Sequence, residues 1–195
     1  MEKFVILIVM VFSLSACTGT EVTIRPDPST VDSNFRSNCG SIAIKESPSA
    51  QVYPAAGTLI PDFAKAVDRS GLSEHLFYPT RQDDKVDITL DTKFDVIAEH
   101  NMGSTFAKSF VTGLSLFVLE PFFWYNHEYY ITSRVDIVKN DKIVKTIDQR
   151  TEAEMSLKWL SLASTQTLEV DTLTRLKSMA YKQILSELNL YCRKP

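Results

Sequence analysis

Few groups in this 195-residue chain can do covalent, metal or acid–base chemistry. They are Cys17, Cys39 and Cys192, the histidines His75, His100 and His127, and scattered carboxylates. No histidine has a second histidine or a cysteine at metal-ligand spacing. Glu99-His100 and His127-Glu128 are adjacent pairs, and adjacent residues on a strand point to opposite faces. Gly113-Leu114-Ser115-Leu116-Phe117 lacks the second glycine of a nucleophile elbow. There is no phosphate loop and no Cys-x-x-Cys. Asp87, Asp91 and Asp95 alternate, which reads as a solvated strand face rather than a cation site. The expectation is therefore no catalytic residue, no metal and no cofactor. What remains is Cys17, a thiol set directly behind Leu14-Ser15-Ala16.

Met1-Glu2-Lys3 is a minimal charged start, and Phe4 to Leu14 is an apolar run of eleven residues. That length suits a signal-peptide core and is too short to span a bilayer. Leu14-Ser15-Ala16-Cys17 resembles the lipobox of bacterial lipoproteins. The resemblance implies cleavage before Cys17, diacylglycerol on its thiol and an acylated new terminus. One acyl chain binds a membrane only marginally, so several chains are needed for a firm anchor. In that family an aspartate after the cysteine retains the protein at the inner membrane. Thr18 stands there instead, which implies the outer membrane with the domain facing the periplasm.

Three segments follow from this reading: 1–16 as signal peptide, 17–38 as lipidated N-terminus and flexible tether, and 39–195 as one globular periplasmic domain. The tether assignment rests on the Thr, Ser, Asp, Pro and Asn content of 18–38. As coil it would span about 25 Å, and fully extended about 70 Å. At 44% hydrophobic and 23% charged the domain has enough apolar matter for a core. The net charge of −3 argues against nucleic acid as a partner. With Cys17 lipidated, Cys39 and Cys192 are left as an even pair in an oxidising compartment. They would either bridge the two ends of the domain or stay as two separate buried thiols.

The elements that must position these residues are legible from periodicity. Gly40 to Ile44 is a short strand, and Leu59 to Ser70 a helix with Gly71 as its stop. Val86 to Ala98 and Tyr129 to Val138 alternate as long half-buried strands. Asn140-Asp141 turns into a return strand over Ile143 to Thr151. Thr165 to Tyr191 is a long helix with Leu173, Leu176, Ala180, Ile184 and Leu188 on one face. Between the long strands lies Phe106 to Tyr125, apolar and aromatic but interrupted by Lys108 and Glu120-Pro121. Its uninterrupted part is shorter than a membrane span. Two readings stay open for it: a buried connector packed on the sheet, or an apolar surface for a partner or the membrane interface. In the second, Phe117, Phe122, Phe123 and Trp124 make the contact.

The expected fold class is α+β: a two-layer sandwich of a mostly antiparallel sheet of four to five strands with two helices on one face. The order of elements resembles small periplasmic α/β lipoproteins, such as activators of penicillin-binding proteins and the N-terminal domain of the Tol-system translocation protein. It also resembles uncharacterised lipoproteins with an apolar segment like Gly113-Leu114-Ser115-Leu116 through Pro121 between central strands. The expected role is a lipid-anchored, non-catalytic binding or assembly module with an envelope protein partner. A small hydrolase acting on cell wall or lipid would instead need His100, His127 and Glu128 to converge in a pocket. A structural subunit of an envelope complex is the plainer alternative.

Overall fold

The computed structural model describes residues 19–27, 31, 35–49, 53–80, 85–100, 102–115, 124–158 and 165–193. Within them the chain runs β1 (Thr20–Arg25), β2 (Ser41–Glu46), a short 3₁₀ turn, α1 (Ile60–Ser70), β3 (His75–Phe77) and β4 (Ile88–His100). It continues through α2 (Met102–Leu114), β5 (Trp124–Lys139), β6 (Lys142–Lys158) and α3 (Thr165–Arg193). The strands form one sheet in the order β1-β6-β5-β4-β2-β3. The β4, β5, β6 and β1 pairings are antiparallel. The chain crosses through α1 from β2 to β3 and then returns to β4 on the other side of β2, so β2 lies parallel to both β3 and β4.

Alternation decides which sheet face is buried. On β4 the buried residues are Ile88, Leu90, Thr92, Phe94 and Val96. They stand beside Ile137, Val135, Ser133 and Ile131 of β5 in the same cross-strand rows. Asn140 and Asp141 join β5 to β6 at φ of 52° and 59°, as a two-residue hairpin of this twist requires. α1 buries Ile60, Phe63, Ala64 and Val67, at helical spacing. It carries Pro61 in its first turn and ends at Gly71, whose φ of 71° is the left-handed cap conformation. α3 buries Leu173, Leu176, Met179, Ala180, Ile184, Leu185 and Leu188, the stripe its periodicity specifies.

α1 and α3 cover one face of the sheet. Three rings lock the layers: Phe63 of α1, Phe94 of β4 and Tyr181 of α3, with centroids 5.5–5.7 Å apart. The Tyr181 hydroxyl donates to the Leu59 carbonyl at 2.7 Å, which satisfies this buried hydroxyl at the start of α1. Cys39 and Cys192 form a disulfide with a Cα–Cα distance of 5.2 Å, joining the entry to β2 to the last turn of α3. Just before it, Asn189 Oδ1 accepts from the Arg36 and Ser37 amides at 3.2 and 3.1 Å.

Several expectations need correction. The sheet has six strands and is mixed, not four to five and mostly antiparallel. Residues 20–25, expected within a flexible tether, form the edge strand β1, so the described fold begins before residue 39. The reason is a distant partner: Val22 and Ile24 point to the core face, where they pack against the core beside Met155 and Ala153 of β6. The composition of the whole stretch, dominated by turn-forming residues, conceals that short alternation. A third helix, α2, exposes Phe106, Phe110, Val111 and Leu114 rather than burying them as a connector would, while residues 116–123 of the expected connector lie outside the described residues.

Gly40 sits where a side chain would not fit. Its φ is +73°, and a Cβ there would lie 2.3 Å from Asp87 Oδ2, which accepts from the Ser41 amide at 2.8 Å. Gly40→Ala is expected to cost about 1–3 kcal/mol, from strain plus the displaced hydrogen bond. A denaturant melt with an unchanged midpoint would contradict this.

Candidate functional site

The sheet has two unlike ends. At one, β4 finishes at His100, β5 starts at Trp124, β6 finishes at Lys158 and β1 starts at Thr20. Thr20, Leu157 and Tyr125 form a cross-strand row, with Trp124 and Lys158 paired just beyond it. The other end holds the Asn140-Asp141 turn and the disulfide beside Asp87, Ile88 and Lys139.

α2 leaves β4 at the Trp124 end. Its sequence, Met102 to Leu114, contains one charge, Lys108, and no carboxylate. Phe106, Phe110 and Leu114 recur every four residues, one stripe of a helix, and are 75%, 62% and 71% exposed. Val111 lies beside them, also exposed. The helix is held to the sheet by its cation. Lys108 Nζ donates to the Trp124 carbonyl and lies 5.6 Å from the centroid of the Tyr125 ring. A contiguous apolar stripe of this kind is unusual on a free surface.

The sheet face away from α1 and α3 is polar. Cross-strand pairing sets Glu99, Glu128 and Glu154 in one row, where like charges repel. Neighbours offset this: Tyr130 donates its hydroxyl to Glu128, and Asn126 donates to Glu154 at 3.3 Å. The Arg150 guanidinium stacks 4.3 Å from the Tyr130 ring centroid and pairs with Glu152 at 3.0 Å. A shallow cleft of about 130 Å³ opens here, lined by Thr23, Arg25, Glu128, Tyr130, Glu152 and Glu154. Asp91 and Asp95 lie on the same side and are engaged by Ser47 at 2.5 Å and Lys93 at 3.3 Å. Among the described residues no group of three or more His, Cys, Asp or Glu could hold a metal ion.

Sequence spacing suggested that the histidines and glutamates of the two adjacent pairs fail to converge. The register refines this. His100 lies opposite His127 and Glu99 opposite Glu128, so like stands beside like. Glu128 is on the polar face and His127 on the core side of the same strand. His127 and Glu128 therefore do not share one face, and the His100 side chain, the third member of the hydrolase alternative, lies outside the described residues. His75 lies exposed on the edge strand β3.

Five of the seven tyrosines hold their protons unusually firmly. The hydrogen bond to Glu128 is the main reason that Tyr130 is pushed up to about 12. Tyr53 is raised chiefly by its bond to Glu169. Burial raises Tyr78, Tyr129 and Tyr181. A phenol whose folded pKa exceeds its unfolded value contributes stability that is complete below pH 10 and lost as pH rises through the folded value. At about pH 10, phenolate absorbance of the folded chain should be clearly lower than what denaturant releases at the same pH. Equal absorbance before and after unfolding would contradict it.

Of the residues expected to matter, Cys17, Phe117, Phe122 and Phe123 lie outside the described residues. Trp124 is described, at 37% exposure, and stands at the base of α2. Phe106, Phe110, Val111 and Leu114 carry the exposed stripe and were not singled out. Their four-residue spacing was the available signal, but periodicity shows one face without showing whether that face is covered.

No protein-family model matches this chain, and no curated protein matches it. Among solved structures it is similar to a minor lipoprotein from Acinetobacter baumannii, with 13% identity and a TM-score of 0.45, over 77% of this chain and 91% of that one. It is similar to a Xanthomonas campestris protein of the DUF330 family, with 11% identity and a TM-score of 0.48, over 87% and 92%. A chain assigned as a lipoprotein from Caulobacter crescentus CB15 is similar at 16% identity and a TM-score of 0.37, over 79% and 93%. Bacterial lipoproteins are thus among the chains this one is similar to. At these values no residue, activity or partner is carried across.

Proposed function

We propose that this chain is a lipid-anchored lipoprotein of the bacterial envelope, tethered through Cys17 at the outer membrane, whose periplasmic domain is a non-catalytic contact or assembly module. Leu14-Ser15-Ala16-Cys17 behind an apolar run supports the anchor. The observation that carries the contact role is the exposed apolar stripe of Phe106, Phe110 and Leu114 beside Trp124. The disulfide accounts for the remaining cysteines and suits an oxidising compartment.

Crosslinking and recovery from membranes tests the reading, with Cys17 intact and as Cys17→Ser. A specific envelope protein recovered only with the anchored form supports it. Equal recovery of nothing specific by both forms contradicts the assembly role.

A further inference from the structure

The lipid anchor just proposed and the apolar helix turn out to belong to one end of the molecule. β1 begins at Thr20, three residues after Cys17. Three residues reach at most about 10 Å. Thr20 is two strands from Tyr125 in the same cross-strand row, about 10 Å away. An acylated Cys17 therefore cannot lie far from Tyr125, Trp124 and the helix that Lys108 pins to them. The tether of tens of ångströms expected from composition is taken up by β1 pairing with β6.

We propose that the surface covering the α2 stripe is the bilayer that holds the lipid, so that the domain is seated on the membrane at this end of its sheet. The inference rests on the lipid anchor. Its chemistry fits a lipid interface. Phe106, Phe110 and Leu114 supply an exposed apolar stripe, and Met102 to Leu114 brings no carboxylate that would have to be buried or repelled by anionic headgroups. Trp124 and Tyr125 stand at its base, the residue types that favour the headgroup level. Lys108 places an ammonium at the same level. Among the described residues no helix is long and apolar enough to cross a membrane, so α2 lies in the interface. The carboxylate row is kept clear of the apolar layer: Glu128 is four residues up the strand from Trp124, about 13 Å. With this end down, the hairpin turn and the disulfide stand about 50 Å away along the 16-residue β5.

The test uses the full lipidated chain in vesicles of phosphatidylethanolamine and phosphatidylglycerol, with and without brominated acyl chains. Trp159→Phe leaves Trp124 as the sole tryptophan. Brominated lipid should quench Trp124 by about twofold or more, as for a ring at the acyl boundary. Phe106→Ser, Phe110→Ser and Leu114→Ser together should abolish most of the quenching while the chain still sediments with vesicles. An environment-sensitive fluorophore on Phe110→Cys gives a second depth reading that needs no change at Trp159, and it should shift to the blue on vesicles. Retention on vesicles with Trp124 unquenched and the fluorophore unshifted overturns the seat alone. So does crosslinking that joins α2 of two copies and shields the stripe. Loss of vesicle association by the native chain overturns the anchor and the seat with it.

Discussion

Replacing both Cys39 and Cys192 by serine is expected to lower the melting temperature by roughly 10–20 °C. The bridge spans 153 residues of sequence, nearly the whole domain. Closing a loop of that size removes chain entropy from the unfolded state worth up to about 5 kcal/mol, less any cost of holding the native geometry. The folded state is already arranged for the bond. The Cα–Cα distance of 5.2 Å lies inside the range disulfides adopt. Asn189 and the backbone of Arg36 and Ser37 clip the two segments together next to it. The stabilisation should therefore appear as an oxidised-minus-reduced difference. Adding reductant to the native chain should bring its melt down to that of the double-serine variant, which reductant leaves unchanged. Coincident melts of native and variant chains under oxidising conditions would contradict this account.

Phe94→Ala should cost about 3–5 kcal/mol. Phe94 is fully buried, and it is the sheet's contribution to the three-ring cluster that joins α1 and α3 to β4. Truncation removes its transfer energy and leaves a cavity between layers. Phe63 and Tyr181 cannot readily close it, because Tyr181 is held by its bond to the Leu59 carbonyl. Phe110→Ala is the matched contrast. Its ring is 62% exposed, so its removal should change stability by no more than about 0.5 kcal/mol. Denaturant midpoints at constant m-value measure both. Similar costs at the two positions would mean that α2 is packed on a core.

The parts of the fold that were readable beforehand are those whose signal is local. The α3 stripe from Leu173 to Leu188, the alternation of β4 and β5, and the Asn140-Asp141 turn each follow from the period of one element. What was not readable depends on distant partners. Nothing in Ile42 or Ala43 says that β2 will lie parallel to both β3 and β4, since that is set by the crossover through α1 and by the return from β3 to β4. β1 was missed because Val22 and Ile24 become meaningful only against Met155 and Ala153 of β6. The same limit applies to the site. The cysteine count raised a Cys39–Cys192 bridge but could not supply their separation. The apolar character of Phe106, Phe110 and Leu114 was plain, while their exposure depends on where α2 leaves the sheet. The histidines show it most simply, because which of them stand opposite one another is a matter of register, not of spacing.

The anchor, the compartment and the membrane seat all depend on Cys17 being the start of the mature chain and carrying lipid. Mass spectrometry of the N-terminal tryptic peptide from purified envelopes measures this directly. Arg25 precedes Pro26, which blocks cleavage there, so the peptide should run from Cys17 to Arg36. The prediction is a peptide beginning at Cys17 and heavier by a diacylglyceryl group plus an N-acyl chain. A peptide that retains residues before Cys17, or one that begins at Cys17 with no added acyl mass, would contradict it.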